Sequence, residues 1–273
     1  MQKYVPEIES SGLSVVGPVR EDNQDAIHLP NGDYGPEMGL LYAIADGMGG
    51  YTHGSVASSL ALEALVEVLF DRETPNPKAL ASGVEKANLE VYKAAQRLGA
   101  GRMGTTLTAA YVLGDTLYLA HVGDSRAYLI RDGRAVCLTE DHSAVGDLVR
   151  SRLISADKLR THAQRSVLTK AVGLGLFLQP DIIQHRLQEG DRLVLCSDGV
   201  WSVIEDNEFA RVADDASPDE ISRELVDLAL RHETDDNASV VVFYLKKLAP
   251  APMDHESHQK SNNWFQKLRK MVP

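Results

Sequence analysis

The sequence predicts an α+β layered sandwich: two packed sheets with helices outside. Three observations predict it. Apolar runs of strand length recur along the chain, long helical stretches stand next to one another, and strands and helices do not alternate in the regular way that builds a parallel sheet.

The elements follow in order. Residues 40–45 are all apolar or aromatic and end at Asp46-Gly47, the pattern of a buried strand. Residues 55–70 are rich in Ala, Leu and Val, with Glu63 and Glu67 four residues apart, and read as a helix. Residues 77–98 read as its partner, with Pro77 suited to a first helical turn. Residues 105–113, Thr116–Val122 and Arg126–Arg131 form a meander whose turns are Gly114-Asp115, Gly123-Asp124 and Asp132-Gly133. Residues 193–196 repeat the design of the first strand and end at Ser197-Asp198-Gly199. Pro218–Arg231 opens as a helix should: Ser217 as cap, Pro218 in the first turn, and Asp219 and Glu220 near the positive end of the dipole. Residues 239–245 form a last apolar strand, with Asp235 and Asp236 just before it.

The chain has 273 residues, enough for one large domain or two small ones. No linker interrupts residues 1–248, which read as one domain. Beyond it, Pro250 and Pro252 mark a polar linker over 249–263. Residues 264–273 are expected to form a short basic amphipathic tail, with Trp264, Phe265, Leu268 and Met271 on one helical face. The net charge of −11 argues against a nucleic-acid partner. No apolar run approaches the roughly 20 residues of a membrane span, and residues 1–11 lack a signal-peptide core. A cytoplasmic monomer is the expectation. Cys137 and Cys196 lie in apolar runs and read as small buried hydrophobes.

The chemistry is carried by acids at strand ends. Asp46 and Asp198 each follow an apolar strand, and Asp236 precedes one. If those strands are neighbours, three carboxylates meet at one sheet edge, where their repulsion demands cations. Oxygen donors of this kind select Mg²⁺ or Mn²⁺. Two such ions about 3.5–4 Å apart lower the pKa of a shared water and make a nucleophile for phosphorus. The glycines after Asp46 permit a tight turn and offer a carbonyl ligand. Arg20 has the planar fork that grips a phosphate.

Taken together, Arg20 with Gln24-Asp25, Asp46-Gly47-Met48-Gly49-Gly50, Gly104-Thr105-Thr106, Gly123-Asp124-Ser125-Arg126, Ser197-Asp198-Gly199 and Asp236-Asn237 resemble the bacterial PP2C-type (PPM) metal-dependent serine/threonine protein phosphatases. The resemblance runs from about residue 11 to residue 245. It implies a four-layer α+β fold, a central antiparallel β-sandwich flanked on both faces by pairs of helices, with two Mn²⁺ or Mg²⁺ ions per chain and hydrolysis of phosphoserine and phosphothreonine by a metal-bridged hydroxide. Asp46 is implied to bridge both ions, the Gly47 carbonyl to bind one, and Asp198 and Asp236 to complete the other. Asp25 is implied to order the water and take its proton, Arg20 to clamp the phosphate, and Asp124 to help hold a third, looser ion. The implied partners are phosphoproteins and a cognate serine/threonine kinase. Residues 142–176 are implied to be a flap beside the site, with Arg150, Arg152, Lys158, Arg160, Arg165 and Lys170 meeting an acidic phosphopeptide.

The chain departs from the family's pattern at three positions. Gln24 stands where many relatives have Glu, Met48 where eukaryotic members carry His, and Ser202 where an Asp is frequent. These weaken the second ion, remove a general acid and weaken the third ion. Two rival readings are less favoured. A cysteine phosphatase needs an Arg six residues after its Cys, but Ser143 and Ser202 stand there. A non-catalytic phosphatase-like binding module would have lost metal aspartates, and this chain keeps them.

Overall fold

In the computed structural model, residues 5–49, 53–71 and 74–248 are described, so the linker and tail expected beyond residue 248 lie outside them. Two antiparallel sheets face each other. The first runs in the order β1 (Glu7–Val15), β11 (Ala238–Lys247), β10 (Arg192–Cys196), β7 (Arg126–Arg131) and β8 (Arg134–Cys137). The second runs β2 (Asp25–His28), β3 (Leu40–Met48), β5 (Leu107–Leu113), β6 (Thr116–Val122) and β9 (Asp181–Arg186), with the short β4 (Gly104–Thr105) paired to the far end of β3.

The period-two alternation of strand side chains explains the layers. On β3, Leu41, Ala43 and Ala45 face outward into one apolar cluster, while Tyr42 and Ile44 face into another between the sheets. On β11, Val240 and Val242 point outward, and Val241, Phe243 and Leu245 point inward. Both faces of these strands are buried, so they read as continuous apolar runs rather than alternating ones.

Helices cover each outer face. α1 (His53–Phe70) and α2 (Ala79–Leu98) pack on the second sheet through Ala57, Ala61, Leu65, Val84 and Val91. α1 is long and apolar enough to cross a membrane, but its apolar side is the inner face of this layer. α5 (Asp206–Val212) and α6 (Pro218–Arg231) cover the first sheet through Phe209, Ile221, Leu225 and Ala229. α3 (Ala144–Arg150) opens the flap, and α4 (Asp198–Trp201) is a single turn after β10. α6 starts as expected, with Ser217 and Glu220 in a reciprocal capping box.

Several boundaries differ from expectation: α1 starts at His53 rather than at residue 55, and the strand expected over 105–113 is divided between β4 and β5. β3 does not stop at Asp46; pairing of Gly47 with Thr105 and Met48 with Gly104 carries it on to Met48. α2 begins at Ala79 rather than at Pro77, which stands in the turn before it.

Candidate active site

Both sheets deliver acids to one end of the sandwich. β2 and β3 pair antiparallel with Asp25 opposite Asp46, so the strand register alone makes these two carboxyl-bearing residues neighbours. Asp198 opens α4 at the end of β10, and Asp236 immediately precedes Asn237 and β11. Asp124 lies in the β6–β7 turn and is buried.

Backbone bonds hold these loops. The Asp46 amide donates to Thr106 Oγ1 at 2.9 Å, and its carbonyl accepts from the Thr106 amide at 2.8 Å. The Gly47 amide donates to the Gln24 carbonyl at 3.1 Å. Asn237 ties the N-terminal loop to β11: its Oδ1 accepts from the Gln24 amide at 2.9 Å and its Nδ2 donates to the Asp22 carbonyl at 3.0 Å. Two glycines are required by closeness. A Cβ on Gly47 would sit 2.1 Å from the Gly54 carbonyl oxygen, and one on Gly17 would sit 1.8 Å from that of Asp236.

A cleft of about 580 Å³ opens here, lined by Arg20, Asp46, Gly47, Asp124, Asp198 and Asp236, with Ser166 and Leu168 of the flap on its rim. Asp25 lies behind the lining, next to Asp46. Crowding shows in the carboxyl groups. Burial, then the charges of Asp25, Asp198, Asp124 and Asp236, push Asp46 well above the usual carboxylate range. Burial, then Asp236 and Asp25, push Asp198 up to about 7. Burial raises Asp25 to about 6, although the hydroxyls of Ser239 and Ser197 draw it back. Burial, then Asp198 and Asp141, raise Asp124.

Arg20 does not point at empty cleft. Its Nη2 donates to Asp236 Oδ2 at 2.6 Å and its Nε to the Asp235 carbonyl at 3.3 Å. Among the described residues, no three His, Cys, Asp or Glu side chains are drawn together as a ready-made ion cage. The donors nevertheless fit hard divalent cations. They are carboxylate and carbonyl oxygens, and Asp25 Oδ1 and Asp198 Oδ1 are buried with no hydrogen-bond partner.

Sequence reasoning assigned no role to several residues around these acids. The buried Arg126 forks onto Asp141 at 2.9 and 2.7 Å, and its guanidinium lies 3.5 Å from the centre of a Trp201 ring. The Trp201 indole N–H in turn holds the Asp124 carbonyl at 2.8 Å. Ser197 Oγ donates to Asp25 Oδ2 at 2.8 Å. For Arg126 and Ser197 the available signal was their presence inside the acidic motifs; Trp201 and Asp141 lie outside them.

The flap's cations are largely engaged within the protein rather than awaiting an acidic peptide. Arg160 binds Asp206 and the carbonyls of Trp201 and Ile204, Lys170 binds Asp181, and Arg150 binds Glu140 and Asp147. Arg165 stands 3.6 Å from Asp235, and Lys158 3.5 Å from Asp157. His142 is buried against Asp181 and the Gly123 amide. Cys196 is buried and Cys137 half-buried, both as free thiols.

Comparison with known proteins points the same way. The family model described as protein phosphatase 2C matches residues 15–238. The serine/threonine protein phosphatase PstP of Mycobacterium tuberculosis is 34% identical over 230 residues, 83% of this chain and 43% of that protein. The chain thus spans less than half the length of that relative. The solved structure of the serine/threonine phosphatase Stp1 of Staphylococcus aureus superposes with a TM-score of 0.83 at 28% identity, covering 90% of this chain and 98% of that one. The PstP catalytic domain, solved in complex with 2 manganese ions, gives 0.77 at 30% identity, covering 88% and 99%.

Proposed function

The chain belongs to the protein phosphatase 2C family, and from that premise we propose that it hydrolyses phosphoserine and phosphothreonine in proteins, using two Mn²⁺ or Mg²⁺ ions. The observation that carries this reading is the gathering of Asp25, Asp46, Asp198 and Asp236 from two sheets at one cleft, with Arg20 beside them.

Asp46 and the Gly47 carbonyl on one side, and Asp198 and Asp236 on the other, would hold the two ions. Asp124, in the same cleft wall, would help hold a third. Bound there, the ions would lower the pKa of a shared water and offset the phosphate's charge. Arg20, at the mouth, would orient the phosphate oxygens through its fork. Asp25 would take a proton from the attacking water as its oxygen bonds to phosphorus and the bond to the seryl or threonyl oxygen breaks. Met48 has no proton to give, so the departing oxygen would collect one from solvent water. The products balance as a free hydroxyl and inorganic phosphate.

The natural substrates would be phosphoproteins, and the opposing enzyme a serine/threonine kinase in the same cytoplasm. Relatives named as serine/threonine phosphatases support that class. The test is turnover of a phosphothreonine peptide with Mn²⁺. Asp46→Asn and Asp198→Asn are expected to lose several kcal/mol of transition-state stabilisation, about 10²–10³-fold in kcat. Circular dichroism should remain native. Undiminished turnover in EDTA would rule the mechanism out.

A further inference from the structure

Ser197 stands at the N-cap of α4, where a serine normally accepts a hydrogen bond from an amide of its own first turn. Its side chain makes no such bond. Instead Oγ accepts from the Ser239 amide at 3.1 Å and donates to Asp25 Oδ2 at 2.8 Å. The chain of bonds then closes on itself. Ser239 Oγ shares a hydrogen bond with Ser14 Oγ at 2.7 Å, Ser14 Oγ accepts from Asn23 Nδ2 at 2.8 Å, and Asn23 Oδ1 accepts from the Asp25 amide at 3.1 Å. Five residues from β1, the loop before β2, β2 itself, the β10–α4 junction and β11 form one ring, which spans both sheets.

We propose that this ring, through Ser197, is a positioning device for the hydrolysis: it fixes Asp25 so that Oδ1 alone faces the attacking water. The proposal rests on the reading of the site given above. A hydroxyl has one proton, and with the Ser239 amide on its lone pair that proton goes to Asp25 Oδ2. Oδ2 is thereby committed as an acceptor. Oδ1 is buried, makes no hydrogen bond, and belongs to a residue directly opposite Asp46 in the strand register. Ser197 itself is fully buried and does not line the cleft, so it acts through Asp25 and not on substrate.

The test compares Ser197→Ala, Ser197→Cys and Ser197→Thr in full-length protein on a phosphothreonine peptide at saturating Mn²⁺, with Mn²⁺ affinity read by calorimetry. Ser197→Cys keeps the volume but supplies only a weak donor, which guards against a packing defect in Ser197→Ala. Both are expected to lower kcat by about 10-fold, a part of what a proton acceptor contributes, with KM and Mn²⁺ Kd within about twofold. Ser197→Thr, which keeps the hydroxyl, should recover most of the rate. Unchanged kcat in Ser197→Ala and Ser197→Cys would overturn the proposal while leaving the site reading intact. So would a parallel shift of kcat, KM and Kd, which marks general damage. A wild-type protein without Mn²⁺-dependent turnover would overturn both.

Discussion

Asp236 is claimed from two directions. Its Oδ2 is held by Arg20 at 2.6 Å, while its Oδ1 accepts the Asn237 amide at 2.8 Å. Burial works against the Arg20 charge, but Asp236, with Asp198 and Asp46 behind it, keeps the guanidinium above its ordinary value. On the proposed reading, Arg20 grips a carboxylate that would hold an ion and would also be needed by the phosphate, which gives it two competing duties. Arg20→Ala is therefore expected to tighten Mn²⁺ binding by a few-fold in calorimetry. In the same protein, KM for a phosphopeptide should rise by roughly 10–100-fold, the worth of one charged hydrogen bond. A variant with weaker Mn²⁺ affinity would show that Arg20 supports the ion site rather than competing for it. The acids themselves were legible in the sequence because each sits beside a glycine or amide at a strand end. The Ser14–Asn23–Asp25–Ser197–Ser239 ring was not, since its members lie up to 225 residues apart and only the fold makes them partners.

Among the elements, the layer between the sheets is the most exacting. Phe243 on β11 is 1% exposed and its ring centre lies 5.0 Å from that of Tyr42 on β3. Phe243→Ala is expected to cost about 3–5 kcal/mol, read as a drop in the denaturant midpoint with an unchanged slope. A loss under 1 kcal/mol would mean that the two sheets close over the gap. The buried central strands were readable because both their faces are apolar. β1, β2 and β9 were not. β1 is a polar edge strand with Glu7, Glu9, Ser10 and Ser11, and it is fixed by pairing with β11 rather than by its own composition. β2 has only four residues, and β9 alternates half-buried with exposed positions along the other edge of its sheet. The overrun of β3 past Asp46 depends on β4, a two-residue partner that no local pattern announces.

At the scale of the whole molecule, two sets of ionisable groups pull stability in opposite directions with pH. His121 is buried beneath His142, and burial, then the charge of His142, depress it to about 3. Its stabilising contribution is whole above the unfolded value of 6.5 and drains away as pH falls toward 3, about 2 kcal/mol between pH 7 and pH 5. Asp25 and Asp198 run the other way. Their folded values of about 6 and 7 lie above the unfolded 3.8, so what they contribute in acid is lost as pH rises through 6 and 7. Divalent cations relieve that second cost only once the carboxyls are ionised. The rise in Tm on adding Mn²⁺ should accordingly be larger at pH 8 than at pH 5.5, by scanning calorimetry. Equal rises at both would show that the ions bind elsewhere.

The place of β11 has a consequence for the protein while it is being made. Among the described residues this strand is the last in sequence, yet it lies inside the first sheet between β1 and β10, and Asp236 arrives with it. A growing polypeptide on the ribosome holds Arg20, Asp25 and Asp46 early but cannot join them to their distant counterparts until that final segment slots into the middle. On the proposed role of Asp236, a translation product that stops short of this strand is expected to lack phosphatase activity.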